Sequence, residues 1–153
     1  MRNKQQGFSL IELLIVVAII LIIAAIAIPN LMRSKMAANE ASAVASLRTI
    51  NTSSVSFSTT YGAFPTALSQ LGPSSTPSST AADLVDNVLA TGTKSGYTFS
   101  FTPGSGATAG TAYSVNADPV SSSTGQRHFY TDQTLVIRAN TSTAATSGSN
   151  PIG

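Results

Sequence analysis

The sequence predicts an α+β protein in which a long N-terminal helix, hydrophobic over its first half, packs against a C-terminal antiparallel four-stranded sheet. Residues 13–28 contain no polar side chain, which predicts a continuous apolar helix. Residues 31–61 are rich in alanine, and their apolar side chains recur every three or four positions, the period of a helix. After residue 96, aromatic and aliphatic residues alternate with polar ones, the period of a strand.

The apolar run at residues 8–28 is long enough to cross a membrane. At about 1.5 Å per helical residue it would extend roughly 30 Å, the thickness of a bilayer's hydrocarbon core. Glu12 is its only charged residue, and a short polar segment with Arg2 and Lys4 precedes it. We therefore expect residues 8–28 to form a transmembrane helix.

The hexapeptide Gly-Phe-Ser-Leu-Ile-Glu at residues 7–12 opens this run. A secretory signal is cleaved after its apolar region, whereas Gly7 lies before it. The hexapeptide resembles the class III signal of type IV pilins and of the pseudopilins of type II secretion. The resemblance implies a leader at residues 1–7, cleavage between Gly7 and Phe8 by a prepilin peptidase, and N-methylation of Phe8.

Glu12 needs a partner, because a carboxylate in an apolar helix costs about 2.5–3.5 kcal/mol to insert into a membrane. Cleavage after Gly7 would free an α-amine on Phe8, about one helical turn away. The resemblance implies that in an assembled filament Glu12 neutralises the N-terminus of a neighbouring subunit. The alternative is a plain membrane anchor whose glutamate reaches the lipid headgroups.

Residues 29–61 are expected to continue the helix as an amphipathic segment. Pro29 lacks a backbone N–H and is expected to kink the helix where it leaves the membrane. An apolar stripe predicts the face that packs on the sheet; it comprises Val44, Leu47, Ile50, Ser54, Phe57 and Tyr61. The opposite face is predicted to carry Glu40, Arg48 and Asn51, and Gly62 to end the helix.

Residues 62–140 are expected to form a head domain of connecting turns and strands. Residues 61–66 resemble the junction that follows the long helix in many pilins and pseudopilins. Thr66 is predicted to cap a short turn that Gly72 ends. Thr80 and Asp83 predict the start of a second helix running to Ala90, which would bury Leu84, Val85, Val88 and Leu89.

Four strands are predicted, at residues 97–102, 113–117, 127–131 and 134–139. The last two resemble the closing hairpin of a cysteine-free group of bacterial pilins. Their short connections predict an antiparallel meander with one face on the helix and one toward water. Residues 141–153 show no pattern and are expected to form a flexible tail.

Composition argues against several functions. Only 9% of residues are charged, against about 25% in a typical domain. The six cations that follow the leader equal the six acidic residues in number, so binding of nucleic acid is not expected. There is no cysteine for a disulfide or a thiolate metal site.

The residues suited to chemistry are few. His128 is the only histidine, and no G-x-S-x-G motif accompanies it, so a catalytic Ser–His–Asp arrangement is disfavoured. Asp118 and Asp132 are too few for calcium, which takes six to eight oxygen ligands, and are better explained as turn residues. We expect no enzymatic activity, no cofactor and no metal.

The resemblance implies a structural subunit of a type IV pilus that serves adhesion, motility or uptake. The precursor would cross the bacterial inner membrane once, and the mature chain would form a helical homo-oligomer at the cell surface. An assembly ATPase and inner-membrane platform proteins are implied partners. The alternatives are a type II secretion pseudopilin, a minor tip subunit that binds DNA or a surface, and, least favoured, a membrane-tethered enzyme.

Overall fold

The computed structural model describes residues 7–152. Residues 1–6, which make up most of the expected leader, lie outside the described residues, as does Gly153. The chain divides into two compact units, Met1–Lys35 and Met36–Gly153. Each is considered by itself below.

The long helix predicted from the sequence is present. Helix α1 spans Leu10–Tyr61, 52 residues, and includes Pro29. It ends where the sequence predicts, because Gly62 takes a left-handed backbone conformation with φ 80° that glycine adopts without strain. Among the described residues, α1 is the one helix long and apolar enough to cross a membrane, and its most apolar stretch is not buried by the rest of the chain.

The second unit contains an antiparallel sheet of six strands, joined in chain order. The strands are β1 (Thr93–Lys94), β2 (Tyr97–Pro103), β3 (Tyr113–Pro119), β4 (His128–Asp132), β5 (Arg138–Asn140) and β6 (Asn150–Pro151). The antiparallel sheet is therefore confirmed, but the predicted number of four strands is wrong. Strands β1 and β6 have two residues each, too few to show an alternating pattern.

The segment expected to be a flexible tail instead packs on the sheet. Strand β6 pairs with β5, Ala139 opposite Asn150. Between these strands Ala145 is buried, and its carbonyl accepts a hydrogen bond of 2.8 Å from the Asn116 side chain. Backbone and side-chain polar groups hold this segment, which explains why hydrophobic periodicity did not reveal it.

The core of the second unit lies between one face of α1 and one face of the sheet. Leu47, Ile50 and Phe57 of the predicted stripe are buried, with Val44 and Tyr61 partly buried at its edge. The sheet contributes alternate residues of its strands: Tyr97, Phe99, Tyr113, Val115, Ala117 and Phe129. The expected arrangement, with one sheet face on the helix, is confirmed.

The predicted polar face of α1 is partly wrong. Glu40 and Asn51 are buried, and only Arg48 is exposed. Both buried residues bond to the sheet side of the unit: Glu40 to Arg127, and Asn51 to Tyr113 and Thr131. Polar residues can lie in a core when partners satisfy them, and those partners are distant in sequence.

Between α1 and the sheet, two predicted caps are wrong. The short 3₁₀ helix Leu68–Leu71 lacks a capping side chain, and Thr66 instead donates its backbone N–H to Gln70 Oε1. Helix α2 is only Asn87–Ala90, capped by Asp86, whose carboxylate accepts from the Leu89 N–H at 2.6 Å. Thr80 lies in a turn that backbone bonds between Ser78 and Ala81 close.

Burial in this segment follows the shorter helix. Val85 and Leu89 are buried as predicted, and Leu84 is partly buried. Val88 is 54% exposed, contrary to the prediction, because the four-residue α2 turns only one side toward the core. A second 3₁₀ helix, Gly106–Thr108, lies in the loop between β2 and β3.

Candidate functional site

The predicted cleavage point lies just outside α1. Gly7, Phe8 and Ser9 precede the helix, and the Phe8 side chain is 81% exposed. A Cβ added to Gly7 would meet no atom within 4 Å. The peptide bond between Gly7 and Phe8 is thus exposed and lies outside the helix. Such a segment is free to enter a peptidase site as an extended chain.

Ser9 and Glu12 form the start of the helix. The Leu13 N–H donates to the Ser9 carbonyl at 3.2 Å, which makes Ser9 the residue that caps the first turn. The Ser9 N–H donates in turn to Glu12 Oε2 at 3.4 Å. This bond is one half of a capping box, in which a glutamate three residues into the helix binds the capping residue's N–H.

This position also places the Glu12 carboxylate at the positive end of the helix dipole. The carboxylate is exposed, and within residues 7–152 it accepts a single long hydrogen bond. It therefore retains capacity to accept further hydrogen bonds from an ammonium group brought close to it.

The rest of the apolar segment is exposed along its length. Between Leu10 and Met32, exposed large apolar side chains lie on every side of the helix. Each of them is at least 46% exposed. A helix that is apolar all round is stable only when lipid or other protein surrounds it. The described chain supplies no such covering, so the helix is built for an environment other than water.

Pro29 lies near the end of this segment. Its missing N–H leaves the Ala25 carbonyl without its usual helical partner. One residue on, Asn30 Nδ2 donates to the Ile26 carbonyl at 3.1 Å, adding a bond beside the gap. These contacts describe a locally weakened helix, and the kink at Pro29 stays a prediction.

The other candidate residues belong to the second unit. His128 Nδ1 is 2.6 Å from Asp118 Oδ1 across strands β3 and β4. Asp132 Oδ1 instead accepts the Thr134 N–H at 2.9 Å, the turn role that the sequence predicts for it. Within residues 7–152, no group of three or more potential metal-ligating side chains occurs.

Glu40 is a buried carboxylate of the second unit. Burial opposes its ionisation, but hydrogen bonds from the Gln126 N–H and from Arg127 outweigh burial and lower the pKa of Glu40. Burial also raises the pKa of Tyr97 and Tyr113 to about 12, so both hydroxyls are neutral donors. Each of these groups is hydrogen-bonded to other residues of the second unit.

Comparison with known proteins identifies the N-terminal site. The family model described as the prokaryotic N-terminal methylation motif matches residues 2–28. The type IV wide pilus major component PilA4 of Thermus thermophilus is 40% identical over 92 residues, which cover 56% of this chain and 66% of that protein. The chain therefore carries the prokaryotic N-terminal methylation motif and is similar to type IV pilins.

A second similar protein is the type IV major pilin protein PilA of Myxococcus xanthus. It is 46% identical over 54 residues, 35% of this chain and 24% of that protein. The chain thus spans 66% of the length of the first relative and about a quarter of the second. No solved structure matches it significantly.

The predicted site residues Gly7, Phe8 and Glu12 lie within the segment that the family model covers. Gly7 and Phe8 precede α1 and Glu12 lies in its first turn, and their roles stay predictions. The capping bond between Ser9 and Glu12 was not predicted. The spacing Ser-x-x-Glu could have indicated it, because that spacing is typical of a capping box.

Proposed function

We propose that this chain is a structural subunit of a type IV pilus. The observation that carries the proposal is the exposed, uniformly apolar first part of α1, interrupted only by Glu12 and preceded by an exposed Gly7–Phe8 bond. Such a helix can reside first in a membrane and later in the packed core of a filament. Both curated relatives are named as major pilus components, which favours a pilus over a secretion pseudopilus.

Processing would occur at the start of the helix. A membrane peptidase cleaves between Gly7 and Phe8, removes Arg2 and Lys4 with the leader, and leaves an amine on Phe8 that is then N-methylated. The family model over residues 2–28 and the non-helical, exposed backbone at this bond support the step.

Glu12 then directs assembly. The exposed carboxylate has one long bond to Ser9 and can accept the Phe8 ammonium of an adjoining subunit. In an apolar environment an uncompensated carboxylate is costly, so pairing it with a cation favours one register between helices. Packing between apolar helices gives cohesion but little hydrophobic gain over lipid, which is why the polar pair sets direction.

The cellular setting follows from this mechanism. The precursor is a single-pass protein of the bacterial inner membrane, and the filament extends from the cell surface. Extraction of an apolar helix from lipid requires work, so an assembly ATPase and a platform protein of the inner membrane act on the chain. The filament serves adhesion, motility or uptake.

N-terminal sequencing and mass measurement of protein sheared from cells test the proposal. Sheared filaments whose chains begin at N-methyl-Phe8 are the expected result. Chains that start at Met1 and stay with the membrane fraction would contradict processing and export together. A deletion strain that keeps its surface filaments but fails to secrete proteins would instead indicate a pseudopilin.

A further inference from the structure

A half-exposed apolar patch lies beside α1 in the second unit. It is formed by Arg48, Thr52, Val55 and Leu135, and is called the Leu135 patch here. Val55 is 39% and Leu135 is 47% exposed. Arg48 contributes a positive charge at the patch, and its aliphatic stem extends the apolar surface.

The backbone at Leu135 adds a second observation. Leu135 has φ 65°, a left-handed conformation that bulky side chains rarely adopt. Its N–H donates to the Asp132 carbonyl at 2.8 Å, which holds the turn in place. Neither the backbone preference of leucine nor burial of its side chain stabilises this conformation. Strained positions of this kind cluster at functional contacts.

An edge of opposite charge lies elsewhere in the same unit. Residues 83–88, called the Asp83 edge here, carry the exposed carboxylate of Asp83 and the exposed side chain of Val88. Asp83 is also left-handed, with φ 55°. The ion pairs among the described residues are Lys94–Asp86, Arg127–Glu40 and His128–Asp118, and they include neither Asp83 nor Arg48.

The patch and the edge lie on opposite flanks of α1. Asn51 Nδ2 donates to the Leu135 carbonyl at 3.4 Å, and Ser53 Oγ donates to the Leu84 carbonyl at 3.2 Å. Two residues along a helix correspond to a rotation of about 200°. The Leu135 patch and the Asp83 edge therefore face away from each other within one copy, so Arg48 and Asp83 of the same chain cannot form an ion pair.

We propose that the Leu135 patch of one subunit binds the Asp83 edge of the next subunit, with Arg48 pairing with Asp83 and Leu135 packing against Val88. The inference rests on the proposed filament. A contact between two different surfaces of the same chain is heterologous, and repetition of it builds open helical filaments. Charge complementarity and the exposed apolar residues on both surfaces identify a second copy as the occupant.

Charge reversal in the full chain, expressed in cells that assemble it, tests the pairing. Arg48→Glu and Asp83→Arg should each lower the yield of sheared filaments about tenfold, because every subunit contact then sets like charges together. The double variant restores the attraction and should recover most of the yield. Arg48→Lys keeps the charge and serves as the matched control.

Crosslinking gives a second measurement that does not depend on yield. The chain has no cysteine, so Arg48→Cys combined with Asp83→Cys introduces the only two thiols. Filaments treated with a short bismaleimide should then give a ladder of dimers, trimers and longer chains on a gel, because this reagent reaches between Cα atoms that an Arg–Asp pair holds too far apart for a disulfide. Either single-cysteine variant should remain monomeric, because a heterologous contact does not bring identical residues together.

Normal filament yield in Arg48→Glu, a double reversal no better than the single variants, or bismaleimide-treated filaments without a ladder would each overturn the pairing. Dimers from a single-cysteine variant would also overturn it, since they indicate a two-fold contact. In each case wild-type filaments made of chains beginning at Phe8 would leave the proposed function intact. Wild-type cells without filaments of this chain would contradict the function itself.

Discussion

Glu40 of α1 and Arg127 before strand β4 form an ion pair in which Oε2 and Nε are 2.7 Å apart. The other carboxylate oxygen of Glu40 accepts the Gln126 N–H at 3.0 Å and the Arg127 N–H at 3.3 Å. One side chain of the helix thus holds the connection that leads into β4. The Arg127 guanidinium also lies over the Phe129 ring, 5.3 Å from its centroid.

We expect Glu40→Gln to lower the free energy of unfolding by about 1–2 kcal/mol, since it removes the charge from hydrogen bonds that a carboxylate strengthens. Urea unfolding of the full chain in detergent, followed by tyrosine fluorescence, measures the change. The pKa of Glu40 is lowered from its ordinary value of 4.5, so its contribution is present above pH 4.5 and is lost as the pH falls through the folded value. The variant should show less acid destabilisation than the wild type. Equal acid sensitivity of the two would contradict this role.

Asn51 joins α1 to two strands through buried bonds. Its Nδ2 donates to Thr131 Oγ1 at 2.8 Å, and its Oδ1 accepts from the Tyr113 hydroxyl at 3.0 Å. Asn51→Ala leaves both hydroxyls without this partner, and we expect a loss of about 2–3 kcal/mol in urea unfolding. Thr52→Ala, an exposed neighbour on the same helix, is the control and should change stability by less than about 0.5 kcal/mol. Similar losses in the two variants would show that the buried network contributes nothing specific.

Gly125 leaves room for the Tyr97 side chain. A Cβ at this position would collide with the ring and hydroxyl of Tyr97, whose hydroxyl donates to the Arg127 carbonyl at 2.8 Å. We expect Gly125→Ala to displace Tyr97 and to lower the free energy of unfolding by about 1–3 kcal/mol, the cost of overpacking. Gly148→Ala is the matched control, because the nearest atom to its added Cβ is 3.8 Å away. Equal stability of the two alanine variants would contradict the steric account.

Much of the fold could be predicted from periodicity. The apolar run and the stripe through Leu47, Ile50 and Phe57 located α1, and alternation located the long strands β2 and β3. These patterns arise because the side chains along a long helix or strand point toward the core at regular intervals and toward solvent in between. Strands β1 and β6 have two residues each, too few to show a periodic pattern. They are recognised only in the structure, by their pairing with β2 and β5.

The polar contacts could not be predicted in the same way. Glu40 and Asn51 were assigned to the exposed face because charged and amide side chains are mostly exposed. Their partners lie 87 and 80 residues away in sequence, at Arg127 and Thr131. Helical spacing carries no information about contacts at that separation. The N-terminal motif could be recognised because its residues lie within the six positions 7–12, and their roles stay predictions.

The central claim is that Glu12 pairs with the Phe8 amine of an adjoining subunit. The most direct test is the amount and length of filaments sheared from cells that express Glu12→Gln, which keeps the size and removes the charge. We expect filament mass to fall at least about tenfold, as loss of a charged pair in an apolar environment implies. Ser9→Ala keeps the backbone N–H that binds Glu12 and is the control. Filaments of normal number and length in Glu12→Gln cells would contradict the claim.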